Sequence, residues 1–402
     1  MFRKCRLQIA SNSWTPVEST MVGQGAIYVT SYLCMVARHM CLSALFQVQI
    51  EETHDISREL GGKNMTYLHA YCVGNMLNGH LNDRFSIRLV VPIGMLLAGV
   101  CYYLIAIFTD FNWLYVVLFG CCGLAQSTVW SGTLALMSNW FVQESRGKVL
   151  GSWSSNANFG NILGSLTVAV MSSPGNQWHL IVVTETTLLC IIALLFFVVA
   201  RDRPEEQLAE NKSAISFCEA LQIPGVCVYA VDFAFVKLLN YGMLFWLPYF
   251  LVNHLHVDGL QRGLVAASYD VGAVFGSAVT GWASDRVGSR PLVLAPMLTL
   301  SIPLFYCLRL GKPVWPYFIL LPLLGWTVGA SANVLYSAGA ADLAKLQNNY
   351  GLPVESTATI AGIIDGTGSL GAGLGWMLIG SLVTSDSTNP WDPVFYFLMG
   401  KI

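Results

Sequence analysis

One ten-residue pattern occurs twice in this chain. Gly79-His80-Leu81-Asn82-Asp83-Arg84-Phe85-Ser86-Ile87-Arg88 is matched 202 positions later by Gly281-Trp282-Ala283-Ser284-Asp285-Arg286-Val287-Gly288-Ser289-Arg290. Both copies read G-x-x-x-D-R-x-x-x-R, and each closes one long apolar stretch and opens the next. A repeat at half the chain length, set in apolar sequence, implies two homologous membrane bundles joined head to tail. Lipid offers backbone groups no hydrogen-bond partners, so the bundles must be helical. Two halves that rock around a central site make the architecture of a carrier.

Of the 402 residues, 54% are hydrophobic and only 11% charged, with a mean hydropathy of +0.57. A soluble surface needs far more charge. The net charge of −2 supplies no basic face, which excludes nucleic acid as a partner. Apolar runs long enough to cross a hydrocarbon core of about 30 Å recur along the chain. They place spanning helices at 24–46, 66–82, 88–108, 113–137, 149–171, 178–200, 222–252, 263–283, 291–309, 315–340 and 357–383. A twelfth starts near Trp391 and has about 12 residues, roughly 18 Å, so the last helix reads as truncated.

The expected organisation is an all-α membrane protein. It has a cytosolic tail (1–21), a six-helix bundle (22–200), a hydrophilic cytosolic linker (201–221) and a second, pseudo-symmetric bundle (222–402). With both termini in the cytosol, fourteen Lys and Arg fall on the cytosolic side and five on the other, as the positive-inside rule requires. The other two, Arg38 and Lys237, lie inside helices. Eleven cysteines, most of them within apolar runs, read as small apolar residues and not as a disulfide framework. Neither they nor the histidines have metal-ligand spacing, and no nucleotide-binding glycine loop is present. No cofactor, metal or catalysed reaction is expected. The sequon Asn64-Met65-Thr66 sits against the start of the second helix.

Arg38 and Lys237 are central in the first and seventh helices, 199 residues apart, and so nearly equivalent under the 202-residue repeat. A cation buried at membrane depth is unfavourable unless it faces a wet cavity or a partner. Two of them converging from two halves suit a dianion such as phosphate, the Arg through its planar fork and the Lys as a point charge. Alternatively, each pairs with Asp232, Asp270 or Asp365 and only positions helices. The repeated loops are read as gates: Asp83, Arg84 and Arg88 in one, Asp285, Arg286 and Arg290 in the other. Their carboxylates can accept hydrogen bonds from a neighbouring helix terminus in one state and release them in the other. In the fifth helix, Asn156, Asn158 and Asn161 can hydrogen-bond within a cavity. The eleventh carries Asp365-Gly366-Thr367-Gly368-Ser369, where Asp365 reads as a structural partner for a cation and, secondarily, as a proton site.

Several segments together resemble the sugar-phosphate exchangers, the eukaryotic branch of the organophosphate:phosphate antiporters in the major facilitator superfamily. They are Asn139-Trp140-Phe141 with Ser145-Arg146-Gly147, Gly151-Ser152-Trp153, Asn161-Ile162-Leu163-Gly164, Lys237-Leu238-Leu239-Asn240-Tyr241 with Trp246-Leu247-Pro248, Asp270-Val271-Gly272, and Ile363 to Ser369. The resemblance spans about residues 24–400. It implies the major facilitator fold and exchange of a sugar phosphate for inorganic phosphate by alternating access. It places Arg38 at the family's first-helix arginine and Lys237 at its seventh-helix cation, with Trp130, Tyr241 and Asn156 as further substrate contacts. The chain departs from the family pattern where Asn156 replaces a frequent histidine, Ala37-Arg38-His39 replaces Ser-Arg-Lys, Val129-Trp130 lacks its glycine and proline, and Gly329-Ala330-Ser331 replaces an Asn-Gly-Pro run. The expected setting is a lipid bilayer of the endoplasmic reticulum or another endomembrane, as a monomer or an oligomer of unspecified order. Two other functions are compatible with the residues: a proton-coupled symporter of another organic anion that uses Asp365 or Asp270, and a non-transporting sensor or partner-binding relative.

Overall fold

The structure is a computed structural model of the 402-residue chain. It describes residues 16–52, 56–108, 112–141, 149–171, 178–204, 215–257, 259–309, 313–340, 342–343, 357–383 and 390–400. The helices, in chain order, are α1 (Pro16–Glu52), α2 (Ile56–Arg84), α3 (Ile87–Ile107), α4 (Asn112–Trp140), α5 (Asn156–Met171) and α6 (Trp178–Val199). They continue with α7 (Val226–Asn253), α8 (Gly259–Val287), α9 (Arg290–Leu308), α10 (Tyr317–Gly339), α11 (Thr357–Leu382) and α12 (Asp392–Met399). A helical turn at 149–153 leads into α5, and a short connecting helix, Phe217–Gln222, precedes α7. That connector opens on a capping box: the Glu219 amide donates to Ser216 Oγ, and Glu219 Oε2 accepts from the Ser216 amide at 2.7 Å. The Ser216 bonds hold the Glu219 carboxyl below the usual carboxylate range.

Several boundaries differ from the sequence expectation, among them those of α1, which runs over Pro16–Glu52 and not 24–46, and two of the differences bear on the motifs. The helix α2 starts at Ile56 and not at 66, so the sequon residue Asn64 lies inside a helix. The expected fifth span is interrupted by a turn at 154–155, where the Ser154 and Ser155 hydroxyls bond back to the carbonyls of Gly151 and Ser152. Such local bonding competes with helix continuation. Arg3, Lys4, Arg6, Arg146, Lys148, Lys212, Lys312, Lys345 and Lys401, which served to orient the chain, lie outside the described residues.

Eight of the described helices are long and apolar enough to cross a membrane on composition alone: α1, α3, α4 and α6 to α10. The remaining long ones, α2 and α11, together with α5, stand where protein covers them. Helices α2 and α11 pack along each other, and α5 packs along α8, so both pairs join the two halves of the chain. A helix wrapped by protein needs no lipid-compatible surface and can carry Asn, Ser, Gly and Asp. The opposite case is α9, which buries only Leu294, Ser301, Phe305 and Leu308 and presents the rest of an apolar surface outward.

Small residues allow the seams to close. Gly362 on α11 faces the Asn75 carbonyl of α2, and Gly79 on α2 faces the Ala358 carbonyl, so a Cβ at either position would collide with backbone. On the other seam, Gly263 of α8 abuts Ala169 and the Ser165 carbonyl of α5. Within the first half, amides stitch α2 to α4: Asn78 to Ser127 at 2.6 Å and Asn82 to Ser131 at 2.9 Å. Arg309 at the end of α9 pairs with Asp392 at the start of α12, 2.7 Å apart.

Candidate functional site

A small cavity lies between the halves, lined by residues of α1, α2, α4, α5, α7, α10 and α11. Both intramembrane cations reach it. Arg38 is 2% exposed and Lys237 3%. Both lie against one aromatic ring, that of Tyr71 on α2, whose centroid is 4.7 Å from the guanidinium and 5.4 Å from the ammonium.

The two cations differ in their partners. Lys237 Nζ donates to Asp365 Oδ1 at 2.6 Å and to Ser369 Oγ at 2.8 Å. The other oxygen of Asp365 accepts from the Tyr71 hydroxyl at 2.9 Å and the Asn75 amide at 3.1 Å. This ion pair is therefore fully built: a carboxylate with three donors, and an ammonium with a counter-charge and a hydroxyl. Of the three carboxylates the sequence left open for Lys237, Asp365 is the one it meets. Arg38 has no such partner. Its Nη1 donates to His39 Nε2 at 3.0 Å, its Nε has no hydrogen-bond partner, and no carboxylate lies within ion-pair distance of it among the described residues. The cavity wall thus carries one uncompensated positive charge in a low-dielectric setting, and a buried charge of this kind calls for an anion.

Two aromatic layers enclose this charge. On the side of the repeated loops, Trp130 (α4) stacks on Tyr336 (α10) at 3.8 Å and on Trp153 at 5.5 Å, and Phe233 (α7) stacks on the far face of Tyr336 at 5.4 Å. On the opposite side, Phe46 (α1) meets Phe245 (α7) at 4.0 Å and Trp376 (α11) at 5.5 Å. Each layer joins helices from both halves. Tyr241 lines the cavity between them, with Lys237 Nζ 4.9 Å from its ring. Trp130 Nε1 is buried without a partner.

Asn156 is not among the cavity-lining residues. Its side chain is fully buried, and its amide donates to the Trp153 carbonyl at 2.5 Å. Ala157 takes the wall position, because successive helical residues point about 100° apart. Asn158 and Asn161 turn toward the second half, where both donate to Asp270 Oδ1 of α8, at 2.7 and 3.2 Å.

The repeated loops make unlike contacts. Asp83, at the end of α2, accepts from the Thr359 amide (2.8 Å), the Thr359 hydroxyl (2.6 Å) and the Ala358 amide (3.3 Å), capping the first turn of α11. A carboxylate is favoured there by the free N–H groups and the helix dipole. Asp285 instead pairs with Arg290 at 2.7 Å, and Arg290 reaches on to Asp342 at 3.2 Å and to the Ser284 hydroxyl. Arg88 bonds the Phe197 carbonyl at 2.8 Å, while its amide bonds Asp202, which ties the first loop to the end of α6. Arg84 is exposed, and Arg286 lies over the Trp282 ring at 4.3 Å.

The site also uses residues that sequence reasoning passed over: His39, Tyr71, Phe233, Asn240, Asn333 and Tyr336. Asn333, a lone amide in the apolar α10, carried a signal. Tyr71, Phe233 and Tyr336 did not, since aromatic residues are common on any buried helix face. The tenth helix brings Ala332, Asn333 and Tyr336 to the cavity through two π-helical stretches, Gly325–Gly329 and Leu335–Gly339. Widened turns of this kind re-aim side chains and cluster at functional sites.

Comparison with known proteins agrees with this geometry. The sequence profile of the Major Facilitator Superfamily matches residues 28–261 and 225–400. The chain is 31% identical over 390 residues to Sugar phosphate exchanger 3 of Xenopus laevis, covering 85% of this chain and 76% of that one. It is 29% identical over 388 residues to Glucose-6-phosphate exchanger SLC37A2 of Homo sapiens, with the same coverage of 85% and 76%. In fold it is similar to a bacterial homolog of the human lysosomal transporter Spinster, crystallised in an inward-facing, unoccupied conformation. The TM-score is 0.66 at 14% identity, over 95% of this chain and 91% of that one. With the repeated loops, the paired seams and the cation-lined cavity, these matches place the chain, a multi-pass membrane transporter and not an enzyme, in the sugar-phosphate exchanger family of the Major Facilitator Superfamily.

Proposed function

We propose that this protein exchanges a sugar phosphate for inorganic phosphate across an endomembrane, with the phosphoryl group held by Arg38. The observation that carries the reading is the unpaired Arg38 guanidinium in the cavity wall, beside a Lys237 already matched by Asp365. Its fork matches phosphate oxygens in two parallel bonds. Lys237 has an alternative acceptor in Asp365, so an arriving phosphate can share or take over its hydrogen bonds. Tyr241 and the cavity-facing edges of the stacked Trp130 and Tyr336 line the cavity and offer apolar surface for a carbon skeleton. The halves 22–200 and 222–402 act as the rocking units, joined by 201–221. Asp83 and Arg290 govern closure on the loop side, and the fourteen-to-five distribution of Lys and Arg supports that side, with both termini, in the cytosol.

The test is counterflow in liposomes of purified protein. Labelled glucose 6-phosphate should enter vesicles loaded with inorganic phosphate and not vesicles loaded with buffer. Uptake that ignores internal phosphate but follows an imposed proton gradient would replace exchange by symport.

A further inference from the structure

A second ionisable group is buried between the halves, apart from the cations. Asp270 of α8 is 5% exposed and has no basic group within ion-pair distance among the described residues. Its donors are two neutral amides, Asn158 and Asn161, both on α5 of the other half and both directed at one oxygen, Oδ1. The network continues to the cavity. Asn333 Nδ2 donates to Asn158 Oδ1 at 2.6 Å and to Ser277 Oγ at 2.9 Å, and Asn333 lines the cavity wall. Two residues thus separate the cavity from a carboxyl that no cation compensates.

We propose that Asp270 is a proton-binding site linked to the anion site, so that the carrier takes up a proton at Asp270 as phosphate binds. The reading rests on the anion site proposed above and adds a second ligand to it. An ionised carboxylate buried among neutral donors is unfavourable, and a proton removes that charge without any rearrangement. An anion placed beside Arg38 and Asn333 adds like-charge repulsion in a low dielectric, which favours the protonated carboxyl further. Linkage makes the effect reciprocal: protonation of Asp270 tightens phosphate binding as much as phosphate tightens proton binding. The sign follows. Phosphate affinity rises as pH falls, beyond what the titration of phosphate itself produces.

The surrounding elements leave few competing groups. On α8 the nearest is Tyr269, whose hydroxyl donates to Asn240 at 2.7 Å; Arg262 lies two turns away. The segment Asn156–Met171 of α5 carries no titratable residue. Toward the cavity, α10 presents Tyr336 and α7 presents Lys237, the latter held by Asp365. Charges on α9 sit at its ends, Arg290 and Arg309. From α1, His39 faces the cavity with Nδ1 unpartnered, and it is the group that must be separated from Asp270 by experiment.

The test is calorimetry of inorganic phosphate binding to the full chain in nanodiscs, near neutral pH, in two buffers of different ionisation enthalpy. Wild type should take up more protons per phosphate than Asp270→Asn, by a fraction of one proton equal to the ionised share of Asp270 before binding, with the contribution of phosphate itself common to both. His39 lies in the cavity wall, so His39→Gln can change affinity, but it should keep the wild-type count per bound phosphate. Equal counts in wild type and Asp270→Asn, or a loss in His39→Gln alone, would overturn the assignment. A wild type that binds no phosphate would sink the anion site. The proton site is then judged without ligand: the pH-difference infrared spectrum should contain a carboxylic acid band that Asp270→Asn removes, and its persistence would overturn the proposal. The variant mimics the protonated form, so a chain that could not fold with it would also speak against a neutral Asp270.

Discussion

At the residue scale, the two halves contribute equivalent cations and surround them differently. Lys237 belongs to a finished ion pair, while Arg38 does not. The two substitutions should therefore fail in different ways. Arg38→Lys keeps the charge and loses the fork, which forms charge-assisted bonds of about 1.5–3 kcal/mol each. Phosphate affinity should fall roughly 10- to 100-fold with the melting temperature nearly unchanged, as read by equilibrium binding and thermal unfolding of the same sample. Lys237→Met strands Asp365, and breaking a buried pair costs about 3–5 kcal/mol. It should lower thermal stability sharply, and Lys237→Met with Asp365→Asn should recover most of that stability without recovering phosphate binding. A double variant as unstable as the single one would mean that the pair is not what holds α7 to α11.

At the element scale, the first turn of α11 is clasped by a carboxylate from α2, and this contact is the clearest lock on the loop face. Removing a side-chain cap costs about 0.5–2 kcal/mol. Asp83→Ala should thus shift the closed population on that face by up to about 30-fold, the factor set by 2 kcal/mol. Spin-label distances between the ends of α2 and α11 should lengthen while phosphate affinity within the closed cavity changes little. Helix α10 obeys a different constraint. Gly272 of α8 faces the Pro322 backbone, and Gly325 of α10 faces the Tyr269 carbonyl, each too close for a Cβ. Gly272→Ala should cost about 1–3 kcal/mol by overpacking, visible as a lower melting temperature, and should displace the π-helical stretch that presents Asn333 and Tyr336.

At the scale of the whole molecule, the cavity is enclosed from both faces by contacts that belong to both halves: Trp130 with Tyr336 on one side, Phe46 with Phe245 and Trp376 on the other. Alternating access requires these layers to open in turn, never together. Phe245→Ala should expose the cavity toward the face opposite the repeated loops, and Asp83→Ala toward the loop face. A cysteine placed in the wall by Ala332→Cys, in a background without other cysteines, should report this. Impermeant thiol reagent applied to oriented vesicles should label it faster from opposite sides in the two variants. Faster labelling from the same side in both would mean that the layers do not act as separate gates.

The sequence by itself determined the number and placement of most helices, their two-fold repetition, and the two cations at their centres. These features are local: apolar runs of fixed length, a ten-residue pattern seen twice, and charges where lipid forbids them. It could narrow the partner of Lys237 to three carboxylates and no further, since Asp232, Asp270 and Asp365 carry the same chemistry and nothing along the chain ranks them. Only the packing of α11 between α2 and α7 brings Asp365 to 2.6 Å and leaves Asp270 among amides. Tertiary structure likewise turned Asn156 away from the cavity, set Ala157 in the wall, and widened α10 by two π-helical stretches. The reason is common to all three. Rotation of a helix about its axis and the close approach of its neighbours are set by contacts between distant segments, and a step of one residue, about 100°, moves a side chain from the site to the packing behind it.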